Sequence, residues 1–239
     1  MIKKKRFAII LALLLTVAIG ISFPQLFYKN SGNSIAHGKV HAGTLENAFK
    51  LPYRGSNFKY FSPLSYFILG RNYVHSSAHT TVINSYAKCE THLPGIKFSI
   101  MDCSKKQGGR LWPHRTHQNG LSIDFMTPLV KNGKQKRFYD GIGIFSYLLN
   151  FDSEGKLNKH VSIDFETMAK HILLLDIEAR KNGLKIKKVI FKINLKDNLY
   201  STKSGAELKR RGIYFAKNLS PKIDKLHDDH YHIDFEFIE

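Results

Sequence analysis

The chain of 239 residues is poor in cysteine, tryptophan and acidic groups, and these shortages narrow what it can be. Its two cysteines, Cys89 and Cys103, belong to no C-x-x-C pair, so a thiolate zinc site is not indicated. In an oxidising compartment they can join, closing a loop of about 15 residues worth roughly 3 kcal/mol, and that disulfide is expected. No cysteine lies near Phe23, which argues against lipid attachment. There is no internal repeat and no long low-complexity tract; with 43% hydrophobic and 12% aromatic residues, a disordered chain is excluded. Acidic residues number 19 against 37 basic ones, a net charge of +18 that favours polyanionic surroundings.

The N-terminus narrows what those surroundings are. Lys3, Lys4, Lys5 and Arg6 precede an uncharged apolar run from Phe7 to Phe23, which stops at Pro24. The run is longer than a secretory core and slightly shorter than most membrane spans. Two fates follow: cleavage after Gly20, with Ala18 and Gly20 as the small residues, or retention of residues 7–23 as a membrane anchor. Under both, the basic flank stays inside and the body lies outside the cytoplasmic membrane, exported or periplasmic. Cell-wall polymers and anionic lipid then suit the charge better than nucleic acid, which is not an expected partner. Residues 1–23 are read as signal peptide or signal anchor, the polar, Gly/Ser/Asn-rich residues 24–50 as a linker, and 51–239 as one domain.

Within that domain, Pro52, Gly55, Pro63 and Gly70 break residues 51–75 into short strands and irregular chain. Helices are expected over 78–92, 164–182 and 205–211; the second has Asp164 as N-cap, Gly183 beyond its end and an apolar stripe of Phe165, Met168, Ile172, Leu175 and Ala179. Strands are expected over 96–101 and 186–193. Two further stretches alternate with period two. In the first, Leu121, Ile123 and Phe125 share one face, and Ser122 and Asp124 the other. In the second, Tyr231, Ile233, Phe235 and Phe237 oppose His230, His232, Asp234 and Glu236. The fold expected is α+β, a central antiparallel sheet with flanking helices and long loops, the two alternating strands adjacent.

Histidines cluster at both strands. His114 and His117 precede Asp124, and His227, His230 and His232 fall together near the C-terminal end. A His–x–His pair alone occurs on many solvated strand faces, and a His–x6–Asp pair alone says less. Together they supply the imidazole and carboxylate donors of a zinc site with one open position. Strands about 4.8 Å apart would bring His117, Asp124 and His232 within reach of one ion, and Gly120 permits the turn that returns His117 to Asp124. His230 is placed to serve as general base or oxyanion donor. His114 and His227 stand one step outside, as further ligands or transition-state donors. His75, His79, His92, His160 and His171 match no ligand spacing and read as surface or satisfied core residues.

At these residues the sequence resembles the penicillin-insensitive murein endopeptidases, within the wider group of lysostaphin-type peptidases, D-Ala-D-Ala dipeptidases and hedgehog domains. The matching stretches are Gly108-Gly109-Arg110, His114-x-x-His117-Gln118-x-Gly120-Leu121-x-x-Asp124 and His227-x-x-His230-x-His232. Weaker similarity runs from Leu51 onward, including Gly70 to His75 and Val189 to Asn194. The resemblance implies a hedgehog- and D-Ala-D-Ala-peptidase-like fold and a zinc enzyme that cuts D-alanyl–meso-diaminopimelyl cross-links in peptidoglycan. It implies His117, Asp124 and His232 as metal ligands with His114 close to the ion, and His230 and His227 as catalytic or transition-state residues. The chain departs from the family at Ser122, where a small apolar residue is usual, in lacking the additional cysteines, and around residues 152–160. A second reading keeps the fold and the zinc without catalysis, as a wall- or partner-binding module; the presence of His230 and His227 argues against it.

Overall fold

The alternating strands pair side by side. In the computed structural model, which describes residues 2–239, a five-stranded sheet forms from β1 (Phe58–Tyr60), β2 (Phe98–Ile100), β3 (Ser122–Met126), β4 (Leu184–Ile190) and β5 (His230–Phe237). Its spatial order is β4-β5-β3-β2-β1. Met1, the first residue of the expected targeting segment, lies outside the described residues. The sheet departs from the wholly antiparallel one expected: β1 runs parallel to β2. The chain between those two strands includes a helix, and such a crossover connection returns a strand in the same direction.

Among the described residues, four α-helices of eight residues or more accompany the sheet: α1 (Ile2–Leu26), α2 (Ser76–His92), α3 (Phe165–Lys181) and α4 (Lys203–Arg210). The α1 helix is long and apolar enough to cross a membrane, and it runs past Pro24 to Leu26 instead of stopping there. Proline so near the C-terminal end removes only one late hydrogen bond. The α3 helix starts where its cap predicts: the Asp164 carboxylate accepts from the Thr167 backbone N–H at 3.0 Å. Its Met168, Ile172, Leu175 and Ala179 are fully buried, and α2 packs alongside.

The strand faces divide the molecule. Tyr231 on β5 and Phe125 on β3 lie opposite each other and stack at 5.6 Å on the helical side of the sheet. There Tyr231 Oη and His171 Nδ1 of α3 share a hydrogen bond of 2.5 Å. Tyr86 of α2 and Phe98 of β2 stack on the same imidazole at 4.9 and 5.0 Å. His171 is thus a core residue in an aromatic cage. His230, His232 and Asp124 project to the opposite side, where the long loop between β2 and β3 brings His114 and His117 against Asp124, and His117 against His232.

Part of the segment expected as a linker is ordered against that loop. Ile35–Lys39 and Ala42–Glu46 form a hairpin. Its backbone carbonyls at Val40 and Gly43 accept from Gln118 and Gly109 at 3.0 and 3.1 Å. Gly108, at φ +68°, is crowded there: a Cβ would come within 2.1 Å of the Gln118 carbonyl oxygen. Gly120 makes the expected turn at φ +79°. The expected disulfide does not form. Cys89 and Cys103 are free thiols, each packed into the apolar core, and burial pushes the Cys89 thiol up to about 12.

His171 ties stability to pH. Burial lowers its pKa to about 3 in the fold, against about 6.5 in the unfolded chain. Both states are neutral at pH 7; below about 6.5 the unfolded chain binds a proton that the folded one refuses. Stability therefore falls with pH down to about 3, by up to about 1.4 kcal/mol per unit from this group. Urea unfolding of chelator-treated protein between pH 7 and pH 5 should show a shallower decline in His171→Gln than in wild type. Equal slopes would contradict the assignment.

Candidate metal centre

The register of β3 against β5 builds the centre. His232 sits directly opposite Asp124, and its Nδ1 lies 2.7 Å from Asp124 Oδ1. The other carboxylate oxygen, Asp124 Oδ2, faces the loop histidines: His117 Nε2 at 3.3 Å and His114 Nδ1 at 3.6 Å. His117 is held by its backbone, at φ +64°, with its carbonyl accepting from Ser104 Oγ at 2.6 Å. The Asp124 carboxylate thus gathers the three histidines expected with it around a metal. Ligand atoms of His114, His117 and Asp124 lie within 4.8 Å of one another. His232 approaches from the other oxygen, its ring 4.8 Å from that of His117.

The donors fit a cation. Both ring nitrogens of His117 and Oδ2 of Asp124 are buried without a hydrogen-bond partner. Orphaned polar atoms of this kind cost about 1–3 kcal/mol each, and a shared ion removes the cost. Imidazole nitrogen with carboxylate oxygen suits zinc; magnesium and calcium prefer all-oxygen shells. The electrostatics agree. Burial works against the Asp124 charge, but the His117 and His232 imidazoles outweigh it and hold the carboxyl well below the usual range. Burial also favours neutral His232, and the Asp234 and Asp124 carboxylates overcome it, lifting the pKa to about 10. A cation at this junction meets the same negative charge.

Above the centre opens a cleft of about 650 Å³, lined by His114, His227, His230 and His232 among others. His230 Nδ1 is bound to Asp229 Oδ1 at 2.6 Å. Burial opposes protonation of His230, and Asp229 prevails, so the imidazole is raised above its ordinary value. His227 donates from Nδ1 to the Ile223 carbonyl at 2.6 Å, and its ring lies 4.7 Å from His230. Burial, then His230, pushes its pKa down to about 3. The structure therefore places His230 and His227 together on the cleft wall and His117 and Asp124 beneath its floor.

Three carboxylates escaped the sequence reading. Asp102 accepts from Arg71 Nη1 at 2.9 Å, pairs with His114 Nε2 at 3.1 Å and accepts from Ser65 Oγ. It leaves His114 only Nδ1 for a metal. Asp229 holds His230, and Asp234 holds the far nitrogen of His232 at 2.6 Å. Asp229 and Asp234 stand inside the histidine-rich segment and on its polar face, which were the available signals. Asp102 lies beyond the end of a short strand, with no pattern around it.

A family model described as penicillin-insensitive murein endopeptidase matches residues 36–236, from the hairpin to the end of β5. No curated protein matches the chain.

Replacing His117 with Ala should weaken zinc binding by more than the ~10–100-fold typical of a group outside the ligand shell, whereas His114→Ala should cost less. Competition with a chromophoric chelator checks the order. Equal or reversed losses would mean that His114 is the principal loop ligand.

Proposed function

The chain belongs to the penicillin-insensitive murein endopeptidase family, whose members cleave peptidoglycan, and from that premise we propose an exported, zinc-dependent endopeptidase. Its substrate is the D-alanyl–meso-diaminopimelyl cross-link of peptidoglycan. The observation that carries this reading is the meeting of His117, Asp124 and His232 under an open cleft, with the buried donors of His117 unpaired. Export rests on the apolar α1 helix and on a substrate that lies outside the cytoplasmic membrane.

His117, Asp124 and His232 would hold the zinc, with His114 beside them. Zinc supplies Lewis-acid polarisation and brings the pKa of a water to around 7. His230 moves the proton. Its Nδ1 is committed to Asp229, which fixes the tautomer and leaves Nε2 to take a proton from the attacking water and return it to the leaving amine. His227, neutral and with its Nδ1–H committed to the Ile223 carbonyl, turns an unprotonated Nε2 to the cleft, where it accepts a hydrogen bond from a substrate N–H or a water. Asp102 and Arg71 steady His114 at the cleft edge.

The full-length chain in detergent should convert cross-linked muropeptide dimers to monomers, and a zinc chelator should stop it. Product masses name the bond. Removal of the base in His230→Ala should lower turnover by about 10²–10⁴-fold with zinc still bound. Zinc binding without any conversion of dimers would overturn the peptidase reading in favour of a wall-binding module.

A further inference from the structure

Asp234 lies outside the ligand set, yet it is one of the most constrained carboxylates in the molecule. It is fully buried on β5, two residues beyond His232 on the same face. Its Oδ1 lies 2.6 Å from His232 Nε2, the nitrogen turned away from Asp124. The same oxygen accepts from Ser122 Oγ at 2.6 Å. Lys188 Nζ stands 3.0 Å from Oδ2.

These contacts are a rung of the sheet. Ser122 on β3 is the residue directly opposite Asp234, and Lys188 on β4 is opposite it on the other side. The next rung on the same face is Asp124, His232 and Ile190. Lys188 reaches its position through a register shift between Ile186 and Lys188. Ile186 faces the core opposite Phe235; without the extra residue, Lys187 would stand opposite Asp234. A bulge that re-aims one side chain next to a site is a built feature, not a defect. Ser122 donates its hydroxyl into this rung.

We propose that Ser122, Asp234 and Lys188 form a positioning relay for the metal ligand His232: Asp234 accepts the Nε2–H, so that Nδ1 carries the lone pair toward Asp124 and the ion. Ser122 and Lys188 fix the carboxylate. A ligand imidazole whose second nitrogen donates to a carboxylate is locked in tautomer and ring orientation and is a more basic donor. Asp234 acts only through His232 and is a positioning residue. The inference rests on the zinc reading of the centre.

The test is zinc affinity of the full-length chain in detergent, by competition with a chromophoric chelator, together with ¹⁵N NMR of the His232 side chain. Wild type should bind one zinc, and His232 should show a protonated, slowly exchanging Nε2. Asp234→Ala should bind zinc about 10–100-fold more weakly and lose the slow Nε2–H signal. Asp234→Asn, which keeps an acceptor oxygen, should recover part of both. Near-UV circular dichroism establishes that each variant is folded. If Asp234→Ala does not fold, Ser122→Ala decides, since it touches the relay and no ligand. A several-fold weaker zinc affinity in Ser122→Ala supports the relay, and wild-type affinity overturns it. Wild-type affinity and an unchanged Nε2 signal in a folded Asp234→Ala overturn it as well. Failure of the wild-type chain itself to bind zinc would overturn the metal reading, and the relay with it.

Discussion

The antiparallel pairing of Ser122–Met126 with His230–Phe237 is the constraint on which the rest depends. It sets His232 opposite Asp124 and, on the reverse face, Tyr231 opposite Phe125. The two sides of the pairing enforce each other. A slip of one residue would turn His232 into the aromatic core and Tyr231 into the cleft, exchanging every side chain between faces. The Tyr231–His171 hydrogen bond and the rings of Tyr86 and Phe98 resist that slip from the helical side. Packing of the core thus fixes the geometry of the centre without touching it.

Charge is distributed to the same end. A chain with about twice as many basic as acidic residues concentrates four carboxylates, Asp102, Asp124, Asp229 and Asp234, in one buried region. Each holds an imidazole: Asp102 holds His114, Asp124 holds His232 and faces His117, Asp229 holds His230, and Asp234 holds the far side of His232. Buried charge is tolerated only when paired, so each carboxylate is a commitment of the local structure to a particular ring orientation. The basic surplus remains on the outside, where it suits an anionic envelope.

Much of this was legible in the sequence. Period-two alternation located both strands and their faces, because side-chain direction in a strand follows parity alone; their adjacency was legible only from the imidazoles and carboxylate that the two would share around one ion. The cap at Asp164 and the apolar stripe after it located α3 to within a residue at each end. Other features were not legible because they depend on contacts far along the chain. The hairpin at 35–46 looks like a polar linker, since its Gly and Ser content reports turns and not the loop it clamps. The parallel β1–β2 pair is three residues long, too short to declare a direction. Asp102 meets its partners from 31 and 37 residues upstream, at Arg71 and Ser65. The two cysteines suggested a disulfide by compartment and number, whereas the fold uses both as buried apolar groups.

The most direct test of the account is the position of the metal. In crystals of zinc-loaded protein, anomalous scattering at the zinc edge should give one strong peak at the junction of β3, β5 and the histidine loop. It should lie about 2.0–2.2 Å from a nitrogen of His117, an oxygen of Asp124 and Nδ1 of His232. A peak elsewhere, or one from which His232 is turned away, would contradict the claim that strand register builds the centre.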